Sequence, residues 1–177
     1  MERVGSELAG TDSNAWGANN GLFRNGRSVD GIPLNGTPKA RNSRDYYVSQ
    51  SSVLSTSRTL RTAKGVYFVD GAGLVIEPGV TLTVEPGVSV KFSESSSFPA
   101  IEVRGRVLAA GTAASPITFT SIHDDSVGGD LNGNGTTTDP RSGDWAAVLI
   151  VDATEPSLFE HVHLRFGGQD ATRWGRE

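Results

Sequence analysis

The chain has 177 residues, of which 36 % are hydrophobic, 22 are glycine and none is cysteine, and its formal net charge is −4. Without cysteine there is no disulfide, thiolate metal site or cysteine nucleophile, and an acidic balance without clustered Lys/Arg excludes a nucleic-acid footprint. The modest apolar share predicts a narrow core, and the longest apolar runs, such as 146–151, fall far short of the ~18–20 residues of a membrane-spanning helix.

The first ten residues, "MERVGSELAG", lack the charged-then-apolar order of a signal peptide. The expectation drawn from this is that the natural start lies elsewhere. Residues 1–44 are Gly/Asn-rich and dense in turn dipeptides (Asn25-Gly26, Asp30-Gly31, Asn35-Gly36). No helical or alternating period lasts long enough there to define an element, so the region reads as an irregular arm. It nevertheless carries Trp16, Leu22, Phe23, Ile32 and Leu34. A disordered tail rarely holds so many large apolar groups, so these residues, with Trp174 near the C-terminus, are the expected self-association contacts.

From about residue 45 to 120 nearly every segment alternates, as in "GVYFVDG", "VTLTVEPG", "VSVKFS", "AIEVRG" and "PITFTS". These are short strands rich in Val, Ile, Thr, Phe and Tyr, each ended by a turn residue. A long polar loop follows at about 121–144, and strands return in "WAAVLIVD", "SLFEHV" and "VHLRFGG". No amphipathic helix is expected anywhere.

The tetrapeptide Glu-Pro-Gly-Val occurs twice, at Glu77–Val80 and Glu85–Val88. Pro fixes φ near −65° and Gly accepts positive φ, which suits a type II corner. Such a corner bends the chain through part of a circle, as a parallel β-helix requires, whereas a meander folds it back on itself. Between the corners Val80, Leu82 and Val84 share one face and Thr81 and Thr83 the other. Stacking such faces builds a long, thin core. Glu77 and Glu85 then read as corner residues facing solvent, not as a catalytic pair.

The stretches "LTVEPGVSVKF", "IEVRGRVLAAGTAASPITFTS", "HDDSVGGDLNGNG", "SGDWAAVLI" and "FEHVHLRFGG" carry a resemblance. Over residues about 66–168 the chain resembles bacterial exported proteins with right-handed parallel β-helix repeats. The resemblance implies an all-β, right-handed parallel β-helix, a short solenoid spanning 45–177 after the irregular arm. It also implies export and a surface, adhesive or scaffold role, and it does not imply catalysis. Such proteins continue for many more coils after "RFGG". The expectation here is therefore an N-terminal piece of something longer, or coils completed by other copies.

The polar loop is the best site candidate. In "DLNGNG", Asp130, Asn132 and Asn134 alternate and Gly135 follows, as in the opening of an oxygen-rich calcium loop. Calcium takes six to eight oxygens, and glycine lets the chain curl around it. The position that would hold a bidentate Glu is Arg141, so Asp124, Asp125, Asp139 and Asp144 are the substitutes at hand. The competing reading is a solvated loop without an ion. His161 and His163, two apart on an expected strand, read as exposed surface histidines, with a transition metal as the alternative. His123 sits beside Asp124 and Asp125. Trp145 reads as packed at the mouth of the coil.

Polysaccharide lyases and hydrolases also use parallel β-helices, with clustered carboxylates or a basic residue and calcium along one face. Asp124, Asp125 and Glu160 are the acidic candidates and Arg104, Arg106 and Arg165 the basic ones, but no spacing ties them together. The leading expectation is a non-catalytic extracellular structural or adhesive β-helix, with calcium as the one candidate cofactor. Few coils leave sheet edges open, so homo-oligomers or filaments by end-to-end coil stacking are expected, with surface glycans as further candidate ligands. The alternatives are a carbohydrate-binding or polysaccharide-cleaving module and a fragment of a larger surface protein.

Overall fold

The computed structural model describes residues 28–30, 32, 46–49, 51–94, 100–153 and 155–168, with the backbone of Glu2–Arg3 and Trp16–Gly17. In the arm, β1 (Glu2–Arg3) and β2 (Trp16–Gly17) form a two-residue antiparallel ladder, an element the sequence pattern does not mark. Ile32 is exposed, whereas Leu22, Phe23, Leu34 and Trp174 lie outside the described residues, as does the Trp16 side chain.

The chain then winds through four coils of three strands each. They are β3 (Val53–Leu54), β4 (Arg58–Leu60) and β5 (Val66–Val69); then β6 (Leu74–Ile76), β7 (Thr81–Val84) and β8 (Ser89–Phe92). The third coil holds β9 (Ile101–Val103), β10 (Arg106–Ala110) and β11 (Ile117–Ser121), and the fourth β12 (Val148–Ile150), β13 (Leu158–Glu160) and β14 (Val162–Leu164). Equivalent strands of successive coils stack in parallel into three sheets, β3-β6-β9-β12, β4-β7-β10-β13 and β5-β8-β11-β14. This is the right-handed parallel β-helix that the strand pattern leads one to expect.

Register aligns like with like. Leu54, Ile76, Val103 and Ile150 form one inward column. Leu60, Val84, Ala109 and Phe159 form a second, and Tyr67, Val90, Phe119 and Leu164 a third. Most of these side chains belong to one continuous apolar cluster along the axis.

The Glu-Pro-Gly-Val corners are closed turns. Val80 N donates to Glu77 O at 3.1 Å and Val88 N to Glu85 O at 3.3 Å, with Gly79 at φ 76° and Gly87 at φ 81°. Glu77 is exposed, but Glu85 is half-buried and has a structural task. Its carboxylate accepts the Thr62 N–H at 2.7 Å and pairs with Arg61 at 3.6 Å, which ties one corner to the coil before it. Gly105 lies where a Cβ would stand 2.3 Å from both Glu77 O and Val80 O, so the third coil seats its backbone directly on the corner of the second.

Candidate functional site

Alternation places Lys91 and Ser89 of β8, and Thr118 and Thr120 of β11, on the outer side of the third sheet, where a solenoid strand normally meets water. All four are buried. The physical reason is the polar loop. After Ser121 the chain folds back over this sheet and packs Ile122 and Leu131 against Val66 and Phe68, with Tyr46 and Tyr47 at the margin. The third sheet is therefore covered on both faces, and the cover brings the loop's acids onto buried hydroxyls and a buried amine.

Two charged centres result. At the first, Asp124 is 2 % exposed and accepts hydrogen bonds from Thr120 Oγ1 at 2.6 Å and from the Ser126 hydroxyl. Arg165 Nη1 lies 3.3 Å from the same carboxylate. Burial alone would raise the Asp124 carboxyl, but the Ser126 and Thr120 hydrogen bonds and the Arg165 charge outweigh it and hold the group below the usual carboxylate range. At the second, Lys91 Nζ donates to Gly129 O and lies 4.0 Å from Asp125 Oδ1. Burial pushes the Lys91 ammonium below its ordinary value, and the charges of Asp125, Asp124 and Asp130 oppose that shift.

The rest of the loop is bonded to itself. The Asp130 carboxylate accepts the N–H groups of Gly133, Asn134 and Gly135 at 2.8, 3.2 and 2.7 Å. Asn132 Oδ1 accepts the Asn134 N–H, and Asn134 Nδ2 donates to Thr138 Oγ1 at 2.7 Å. Asp144 Oδ2 accepts the Arg141 N–H at 3.0 Å, and Asp139 is exposed. His123 bridges loop and coil, with Nε2 3.2 Å from Glu94 Oε1 and Nδ1 2.8 Å from Thr138 Oγ1. Among the described residues no three His, Asp or Glu side chains converge as a metal-binding group.

Of the residues weighed for carbohydrate chemistry, Asp124 and Arg165 are brought together. Glu160 stands apart on β13, Arg104 pairs with Glu102, and Arg106 pairs with Glu155. His161 and His163 do not form a strand pair: His161 is a corner residue at φ 47° between β13 and β14, and only His163 lies in a strand. Trp145 is 2 % exposed and stacks on Phe92 at 4.4 Å and 15°. Its indole N–H donates to Arg165 O at 2.8 Å. It is thus a core residue that closes the loop, as its apolar setting suggests. Lys91 and Thr120 are the members of the site that sequence reasoning misses. Their outward alternation signals exposure, and only the docked loop reverses it.

Neither the curated proteins nor the solved structures contain a match to this chain. A family model described as a pectate-lyase-like beta helix domain matches residues 53–171, from the first coil to just beyond the fourth. With more than half its length matched, over the same coils that the structure shows, the chain belongs to the pectate-lyase-like β-helix domain family.

Proposed function

We propose that this protein is a non-catalytic structural or adhesive β-helix that works outside the cell and assembles by stacking coils end to end. One observation carries the reading. The groups best suited to chemistry are already engaged: Asp124 and Lys91 are buried beneath the loop, on Thr120 and on the Gly129 carbonyl, and the half-exposed Arg165 is paired with Asp124. A catalytic carboxylate needs a pKa suited to proton transfer and access to substrate. Asp124 is buried and held ionised by its partners, so it serves to fasten the loop.

The second reading is a polysaccharide-binding or polysaccharide-cleaving module, favoured by the pectate-lyase-like character of the family. Incubating the purified chain with pectic and other acidic polysaccharides, with and without calcium, separates the two. The scaffold reading expects no release of reducing or unsaturated ends; turnover abolished by Asp124→Ala or Arg165→Ala would replace it. A glycan array reads adhesion in the same way.

Calcium belongs to this proposal as an accessory. The Asp130 carboxylate already curls the chain through Gly135, and a bound cation would reinforce that curl. A ligand bound only by the folded state raises the melting temperature with its concentration. Melting temperatures that match in millimolar calcium and in chelator would remove calcium from the account.

A further inference from the structure

The polar loop carries one dipeptide twice in succession, Asn132-Gly133 and Asn134-Gly135. Both glycines have positive φ, 69° and 65°, and a Cβ built on either would meet nothing within 4 Å. Backbone conformation, not space, therefore calls for glycine at both positions. The same choice brings a chemical liability, because asparagine is a thermolabile residue. In an Asn-Gly pair the glycine nitrogen, once a base has taken its proton, attacks the asparagine Cγ, and no side chain on the glycine hinders the approach. The N–Cγ bond forms, the Cγ–Nδ2 bond breaks and ammonia leaves. Water then opens the cyclic imide to aspartate or isoaspartate. Isoaspartate routes the main chain through Cγ and adds a negative charge, so it would lengthen and recharge the loop that covers Lys91.

Both attacking nitrogens are engaged by one carboxylate. Gly133 N donates to Asp130 Oδ1 at 2.8 Å and Gly135 N to Asp130 Oδ2 at 2.7 Å. The Asn134 amide nitrogen that would leave donates to Thr138 Oγ1 at 2.7 Å. We propose that Asp130 protects Asn132 and Asn134 from deamidation by holding the two glycine N–H groups. A hydrogen bond made by the neutral N–H, and a negative charge in contact with it, both oppose loss of the amide proton. Burial does not supply this protection, since Gly133 and Gly135 are exposed and the two asparagines only half-buried. The loop thus keeps the glycines its backbone needs, and the residue that shapes the turn also blocks the reaction those glycines invite. This inference goes beyond the scaffold reading and does not rest on it.

The test is peptide mapping by mass spectrometry of the full chain held for days in warm, mildly alkaline buffer. The folded wild type should deamidate at Asn132 and Asn134 at least tenfold more slowly than the same chain in urea. Asp130→Ala should speed both sites at least fivefold in the folded chain, with an unchanged circular dichroism spectrum. Lys91→Ala is the control, because it removes an anchor of the loop without touching the Asp130 turn. It should change the two rates less than twofold. Asp130→Ala rates equal to those of the wild type overturn the proposal. So does a folded wild type that deamidates as fast as the chain in urea. Equal acceleration by Asp130→Ala and Lys91→Ala also overturns it, since docking of the loop would then be the protecting element.

Discussion

Inside the coil, Ile76, Leu82 and Val103 are 0, 1 and 0 % exposed within one apolar cluster. Outside the third sheet, Lys91, Thr120 and Asp124 are just as deeply buried at 0, 0 and 2 %, yet they carry an amine, a hydroxyl and a carboxylate. The interior gains stability from apolar area removed from water, and it tolerates changes that keep volume. The outer shelf excludes water by pairing its buried groups, Asp124 with Thr120 and Arg165 and Lys91 with the Gly129 carbonyl, so it fails when one partner is removed. Substitutions in the two regions should therefore respond to different chemistry, size in one and pairing in the other.

The largest expected effect is in the interior. Trp145→Ala removes an indole stacked on Phe92 and leaves the Arg165 carbonyl without its N–H. A loss of about 3–5 kcal/mol is expected in urea unfolding, as for other large aromatic deletions. A loss below about 1 kcal/mol would mean that the coil mouth is not part of the cooperative core.

Lys91 gives the sharpest contrast. Lys91→Ala opens a cavity and strands Asp125, whose Oδ1 is buried without a hydrogen-bond partner, so about 2–3 kcal/mol should be lost. Lys91→Met keeps most of the volume but leaves Asp125 and the Gly129 carbonyl without the ammonium all the same, so at neutral pH it should still cost about 2 kcal/mol, less than Lys91→Ala only by the cavity it avoids. The pH dependence has a definite sign. Because burial depresses the folded-state pKa below the ordinary lysine value of 10.5, the unfolded chain binds more protons between the folded pKa and that value. Wild-type stability should therefore rise relative to Lys91→Met as pH climbs through that window. Parallel curves would mean that the amine titrates alike in both states.

That contrast also explains what the sequence discloses. Val80, Leu82 and Val84 declare their inward face by simple alternation, and the two Glu-Pro-Gly-Val corners declare the winding. Both signals are local, so coil, corners and core are legible in the order of residues alone. Lys91 obeys the same alternation and would be placed in water. Its burial depends on Gly129, 38 residues further along the chain, and no local pattern reports where a Gly/Asn-rich loop will lie. The loop's acids are legible as a group for the same reason that their pairing is not. Composition marks Asp124 and Asp125, but Arg165 reaches Asp124 only after the fourth coil has been laid down. The β1–β2 ladder is two residues long and has no period to detect.

Asp124→Asn should cost about 1–2 kcal/mol at neutral pH, because the amide keeps the shape but loses the ion pair and one acceptor. The sign of the pH dependence is the same as for Lys91, because both folded-state pKa values are lowered, but the window lies in acid and the charged form is here the stabilised one. The folded-state pKa lies below the ordinary aspartate value of 3.8, so the carboxylate contributes its full stabilisation above 3.8 and loses it as pH falls through the folded value. The wild type and Asp124→Asn should differ at pH 7 and converge as pH falls below that folded value. A gap that persists at low pH would point to packing rather than charge as the role of Asp124.

The corners separate backbone cost from contact cost. A Cβ added at Gly79 would meet nothing within 4 Å, and one at Gly87 would first meet Ser115 Cβ at an ordinary 3.7 Å. Crowding is therefore absent at both sites, and only the left-handed backbone, φ 76° and 81°, opposes a side chain. Gly79→Ala and Gly87→Ala should each cost about 1–2 kcal/mol, the usual cost of a left-handed L-residue. Gly79→Asn should cost less, because Asn visits this region more readily. Equal losses at the two corners in thermal unfolding would show that Pro-Gly sets the winding by backbone geometry alone. If Gly79→Ala costs nothing, the corner can reach another turn type, and the column from Leu60 to Phe159 holds the coil without it.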